Sequence, residues 1–381
     1  MEDILSEFMS ISEEPYVWLS KWKEVNKKGI MLCYPMHLPE EIVHAAGLLP
    51  AIIQRSHERI LLSHNCFQAF YCDFSRSTLD LILRDVTDFA DGVVLPDTCY
   101  VNRGLAHMIQ VEKPDVLQFD VHMVPMLEAK RPIYRDWVFQ ELERFKAKLE
   151  AFVGHEITDE SLRNSIQVYN ENRALLRRLY DLRISKPGLI NSKEVLSIVV
   201  ASMLMPKEEH NGLMKKLLPE LEKREPVAGN GVNILLSGAM CEAVSVDLLD
   251  FMESLGVVVV DDDLYVGSRY FAVDCDETLP PLESLVGRYF NRNIPDPTKY
   301  NPDKEYSDYL IDRVRKANAR GVIIVLVLHC EPHWYAHPKL KDKLDPAGIP
   351  HFHIETEQES LSLARIRTRL EAFLEMVKGG R

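Results

Sequence analysis

The stretch G-V-I-I-V-L-V-L-H-C-E-P-H, residues 321–333, decides how this chain is read. Its apolar run Val322–Leu328 has no polar interruption, the pattern of a strand covered on both faces of a parallel sheet. Cys330 follows where the strand runs out. An open parallel sheet gathers the C-terminal ends of its strands at one crevice, and ligands bind there. Two further cysteines stand in comparable places. Cys99 follows the strand-like G-V-V-L-P-D-T (92–98), and Cys72 in Y-C-D-F-S-R-S-T-L (71–79) precedes a helix expected from Ser75. Thiolates delivered by separate loops can hold a soft metal centre. No C-x-x-C occurs, which argues against a local zinc knuckle. Three thiolates without an evident fourth suit an iron–sulfur cluster with one iron left open. The plainer alternative is three buried structural thiols, since free cysteine is a common core residue.

Composition narrows the classes. A chain of 381 residues is long for one core and suits two domains. The net charge of −13 argues against non-specific binding to nucleic acid. Seven cysteines, an odd number at irregular spacing, read as thiols of a reducing compartment. The start M-E-D-I-L-S-E-F lacks the basic onset of a signal peptide, and the longest apolar run is too short to span a bilayer. The expectation is a cytoplasmic protein without a membrane or nucleic-acid partner.

The pattern divides at E-L-E-K-R-E-P-V-A-G-N-G (220–231). Residues 1–220 are expected to form an N-terminal α/β domain with a helical insertion, and residues 228–381 a C-terminal α/β domain. In the first, residues 1–30 read as helix. Strands are expected at Met31–Tyr34, Leu49–Ile53, Gly92–Pro96 and Val116–Phe119. P-E-E-I-V-H-A-A-G (39–47) is a helix with proline at its start and glycine at its end. Long charged helices run from Ile133 to about Arg183, and another helix from Ser192 to Met205. In the second, strands are expected at Val232–Ser237, Val257–Asp261, Val322–Leu328 and His351–Ile354. Helices are expected at Ser245–Leu255, Ser307–Asn318, Pro338–Leu344 and Leu361–Val377. Alternating strands and helices imply parallel sheets.

Six stretches in order resemble the family of 2-hydroxyacyl-CoA dehydratase and benzoyl-CoA reductase subunits. They are P-E-E-I-V-H-A-A-G-L-L-P (39–50), C-D-F-S-R-S-T-L (72–79), L-P-D-T-C (95–99), L-L-S-G-A-M-C-E (235–242), D-D-D-L-Y-V-G-S-R-Y-F (261–271), and H-C-E-P-H (329–333) with P-K-L-K-D-K-L-D-P-A-G-I-P (338–350). The resemblance implies two flavodoxin-like parallel-sheet domains with additional helices and a [4Fe-4S] cluster between them, held by Cys72, Cys99 and Cys330. It also implies a homologous sister subunit, an acyl-CoA substrate and a separate ATP-hydrolysing iron–sulfur activator. The expected activity is reduction of the benzoyl-CoA ring to a dienoyl-CoA by low-potential single electrons. The alternatives are elimination of water from a 2-hydroxyacyl-CoA through a ketyl radical, and a non-catalytic electron relay or scaffold. Many relatives carry a cysteine near I-P-D-P-T (294–298), where this chain has none.

Other candidates are weighed around that centre. Glu41, with Glu40 beside it, can carry a proton or simply favour the first turn of a helix. Glu331 follows a proposed ligand directly. His333 is a candidate proton donor. His329, His333 and His337 at i, i+4 and i+8 offer a zinc face, but Pro332 interrupts that spacing and no H-E-x-x-H is present. His351 and His353 read as structural. Ser237, Gly238 and Ala239 form a strand-to-helix turn able to bind a CoA phosphate. Arg269 is a second anion candidate, with a surface charge as its alternative reading. No G-x-x-x-x-G-K-[ST] occurs, so ATP hydrolysis is not expected of this chain. Cys33, Cys66, Cys241 and Cys275 remain as core or loop thiols, with Cys66 a weak competitor for a ligand role.

Overall fold

The computed structural model describes residues 1–56, 58–123, 131–227, 231–238, 241–290, 294–298, 305–357 and 362–379. The order of elements is α1 (Glu2–Glu13), α2 (Pro15–Asn26), β1 (Ile30–Cys33), α3 (Glu40–Ala45), β2 (Leu49–Ile52), α4 (Asp73–Leu83), β3 (Gly92–Pro96), α5 (Tyr100–Glu112) and β4 (Gln118–Val121). Four helices follow, α6 (Pro132–Val153), α7 (Asp159–Ser185), α8 (Ser192–Leu204) and α9 (Lys207–Lys223). The second half adds β5 (Val232–Gly238), α10 (Val246–Ser254), β6 (Val257–Asp263), α11 (Pro281–Phe290), α12 (Tyr306–Lys316), β7 (Gly321–Val327), α13 (Glu331–Leu344), β8 (His351–Thr356) and α14 (Leu363–Gly379).

Two four-stranded sheets result, in the orders β2-β1-β3-β4 and β6-β5-β7-β8. Every pairing is parallel. Both sheets repeat the opening 2-1-3-4 order of a flavodoxin-like fold, whose crevice lies between the first and third strands. The α/β class and the parallel sheets expected from the sequence are borne out. In the second sheet the alternate residues of one strand go to opposite layers. Ile323, Val325 and Val327 pack with Leu248 of α10 and Leu370 of α14. Val322, Ile324 and Leu326 pack with Leu310 of α12 and Leu344 of α13. That is why the run 322–328 carries no polar residue.

The halves are laced together. Val266, Phe271, Leu285 and Phe290, all beyond β6, pack into the core of the first sheet. Helix α7 also reaches β6: Arg183 Nε donates to Val259 O at 2.7 Å, and its Nη1 meets Asp262 Oδ2 at 3.1 Å.

Some local expectations are corrected. The N-terminal helix is two helices that meet at Glu14. Helices α5, α9 and α11 were not expected. Helix α13 begins at Glu331 rather than Pro338, because Pro332 sits in its first turn, where proline's missing N–H costs nothing. β4 lies two residues later than expected. Residues 228–230, Ala239 and Leu361 lie outside the described residues.

Candidate functional site

Each of the three proposed ligand cysteines turns out to cap a helix. Cys72 is the N-cap of α4, Cys99 of α5 and Cys330 of α13. Cys99 stands three residues past the end of β3, and Cys330 three residues past the end of β7. These are the third strands of their sheets, so each thiol sits on one side of its sheet's crevice. Cys72 arrives from the long connection after β2.

The three thiols feel one another. Burial pushes Cys72 up to about 11, with Cys99 adding to the rise. Burial raises Cys330 further, and Cys72 and Cys99 both contribute. Cys99 is raised by burial as well. First-turn amides act the other way, from Ser75 on Cys72, Asn102 and Val101 on Cys99, and His333 on Cys330. Half-buried thiols at helix N-termini, whose anions would repel one another, stay protonated until a cation draws the protons off, which a metal centre does.

Cys241, read from the sequence as a leftover thiol, belongs to the same group. Burial, then Cys99, Cys330 and Cys72 in turn, hold it well above the ordinary thiol range. It packs with Cys330 against Met36 and Tyr265. Glu242 follows it, buried and paired with Arg55 at 3.1 Å. The other Glu242 oxygen, Oε2, is buried without a hydrogen-bond partner, as is Nδ1 of His333. Orphaned buried polar atoms call for a group beyond the side chains themselves. Among the described residues, no three His, Cys, Asp or Glu side chains form a site for a single metal ion. A four-iron cube is a different demand, since it spreads its cysteines over separate irons.

Backbone strain gathers here too. Met36 (φ 77°), His37 (φ 61°) and His329 (φ 64°) are left-handed non-glycine residues at the ends of β1 and β7. Such residues persist where the surroundings over-determine them, commonly at functional sites.

Glu331 lies at the mouth of the crevice. The hydroxyl of Tyr100 lies beside it and is pushed up to about 12, first by partial burial and then by that carboxylate. Ser237, Arg269 and His333 come together in a second, buried array beside the thiols. Ser237 Oγ meets Tyr306 Oη at 2.7 Å, Tyr306 stacks on His333, and Arg269 lies over the Tyr306 ring. Arg269 is no surface charge: it pairs with Asp263 at 2.9 Å and donates to Pro295 O at 3.0 Å. Burial drives His333 down to about 3, so its ring is neutral. Gly238 ends β5 at φ 105°.

Glu41 lies elsewhere. It is buried against Arg173 and Arg288, and Cys275 Sγ is 3.9 Å away. Burial raises it, but the two guanidinium groups prevail and bring it to about 2. Held ionised, it acts as a counter-ion. Glu40 is the opposite case. Burial raises it, and it accepts from Tyr270 Oη at 2.8 Å, which in turn accepts from Lys207 Nζ at 2.6 Å. Neither Glu40 nor Lys207 stood out in the sequence as a pair, because they are 167 positions apart.

Comparison with known proteins places the chain in a family. Residues 35–377 match the family described as 2-hydroxyglutaryl-CoA dehydratase, D-component. A subunit of benzoyl-CoA reductase from Thauera aromatica is 29% identical over 99% of this chain and 98% of that protein. The β subunit of (R)-phenyllactyl-CoA dehydratase from Clostridium sporogenes is 27% identical over 98% of each chain. The β subunit of (R)-2-hydroxyglutaryl-CoA dehydratase from Acidaminococcus fermentans is also 27% identical over 98% of each. The resemblance read from the six motifs is borne out: the chain belongs to the 2-hydroxyglutaryl-CoA dehydratase D-component family, which spans subunits of benzoyl-CoA reductase and of 2-hydroxyacyl-CoA dehydratases.

Proposed function

We propose that this chain is the iron–sulfur subunit of an ATP-driven acyl-CoA enzyme that reduces the ring of benzoyl-CoA to a dienoyl-CoA. The observation that carries the reading is the gathering of three helix-capping cysteines, Cys72, Cys99 and Cys330, at the facing crevices of two parallel sheets. On this reading they hold a [4Fe-4S] cluster. When bound, that cluster supplies low-potential single electrons.

The chain's own residues have three tasks. Helix N-termini and first-turn amides stabilise the thiolates. Glu331, beside Tyr100 at the mouth, is placed to hand a proton to a substrate arriving there. The Ser237–Tyr306–His333 array and the Arg269–Asp263 pair fix the inner wall, and Ser237 and Gly238 at the end of β5 are assigned to the CoA phosphates. Phe70, Tyr100 and Tyr335 are exposed, and each lies in a segment carrying one of the three cysteines. Exposed aromatics around a site suit a partner surface. This supports a homologous sister subunit seated over the mouth, with electrons delivered by a separate ATP-hydrolysing activator. Among the described residues no helix is long and apolar enough to cross a membrane.

A second reading, elimination of water from a 2-hydroxyacyl-CoA, is favoured by the dehydratase β subunits among the relatives. Anaerobic purification with natural partners, then assay with benzoyl-CoA and with a 2-hydroxyacyl-CoA, separates the two. Dienoyl-CoA formed only with ATP supports the reductase. Enoyl-CoA formed from the hydroxy substrate, with benzoyl-CoA untouched, overturns it in favour of the dehydratase.

A further inference from the structure

The two sheets present equivalent positions to the crevice. Met36 stands three residues past β1, Cys99 three past β3, Cys241 three past β5 and Cys330 three past β7. The first and third strands of each sheet flank its switch point, so these four residues line the two facing crevices. All four carry sulfur. The crevices are in contact, since Cys241 Sγ lies 3.4 Å from Met36 Sδ. Cys241 and Cys330 share the same neighbours, Met36 and Tyr265. Three of the four positions are thus thiols, and with Cys72 the crevice holds four cysteines. A [4Fe-4S] cluster has four irons, and four cysteines are its common complement.

We propose that Cys241 is the fourth thiolate ligand, closing the iron that Cys72, Cys99 and Cys330 leave uncovered. The proposal rests on the cluster assignment above and goes beyond it. Ligation replaces the Cys241 S–H bond by a sulfur–iron bond. The proton leaves to solvent, and no electron changes hands. A closed iron passes electrons but offers no place for a substrate oxygen. That suits ring reduction, where the substrate needs electrons and protons, better than the pull of iron on a departing hydroxyl.

The test is Mössbauer spectroscopy of the full-length chain reconstituted anaerobically with isotopically enriched iron and sulfide, wild type beside Cys241→Ser and Cys275→Ser. The wild type is expected to bind about four irons, all in sulfur-rich surroundings. Cys241→Ser is expected to keep about four irons with one set apart, while Cys275→Ser matches the wild type. A distinct iron already present in the wild type overturns the proposal, whether or not the variant folds. So does a Cys241→Ser spectrum identical to wild type. In both cases the cluster itself stands. Absence of iron from the wild type overturns the cluster assignment and this proposal together.

Discussion

The carboxylate of Glu331 lies beside the hydroxyl of Tyr100 and raises it, and each of the two is the first helical residue after a capping cysteine. The contact joins equivalent positions of the two sheets across the crevice. It ties the onset of α5 to that of α13 and puts one carboxylate beside the thiols at the exposed edge.

Glu331→Gln should therefore keep the fold and the iron yet lower turnover of the assembled enzyme by at least about tenfold, since a placed general acid typically contributes about 10²–10⁴-fold. Tyr100→Phe should act more weakly, because it releases the carboxylate without removing it. Steady-state rates with iron content measured on the same samples check this. Wild-type rates in both variants would move the proton donor elsewhere, with a residue of the sister subunit next in line.

Glu41→Gln should act on stability. The change leaves Arg173 buried without its main counter-ion, and breaking such a pair costs about 3–5 kcal/mol. The pH dependence has a definite sign. The folded-state value, about 2, lies below the ordinary 4.5, so the unfolded chain binds more protons between them. The stabilisation is complete above about pH 4.5 and is lost as pH falls toward 2. Buried His210, lowered by burial from 6.5 to about 3, adds a loss in the same direction that begins below about pH 6.5. Urea midpoints measured from pH 7 down to pH 4 should fall steadily, and Glu41→Gln should unfold at lower urea than wild type at pH 7. An unchanged midpoint in the variant would contradict the counter-ion role.

Gly238→Ala should be among the most damaging single changes to the second sheet. A Cβ there would lie 2.0 Å from Val325 O on the neighbouring strand, and the residue sits at φ 105°. The strained backbone costs about 1–3 kcal/mol, and the overpacking adds a similar amount. Thermal melting of the variant, with circular dichroism to follow the fold, measures it. A melting temperature equal to wild type would show that β5 and β7 separate more freely than their pairing implies.

Much of this was legible in the sequence where local pattern alone is decisive. The strand 322–328 had to be covered on both faces, and cysteines after strands had to meet at a crevice. Helix α5 was harder to see because Gly104 interrupts it, and that glycine is there for Tyr71, whose hydroxyl a Cβ would meet at 2.4 Å. Helix α9 carries Pro219 in its interior, which breaks the usual signal. Cys241 went unnoticed as a site residue although a signal existed: it follows its strand at the same distance as Cys99 and Cys330. The Glu40–Tyr270–Lys207 chain left no trace, since three distant segments supply it and only tertiary packing brings them together.

The measurement that bears most directly on the central claim is iron content of the anaerobically isolated protein and its cysteine variants. Wild type should carry about four irons per chain. Cys72→Ala, Cys99→Ala and Cys330→Ala should each lose the cluster, while Cys275→Ala keeps it. Full iron content in Cys99→Ala, with the fold intact, would contradict the account.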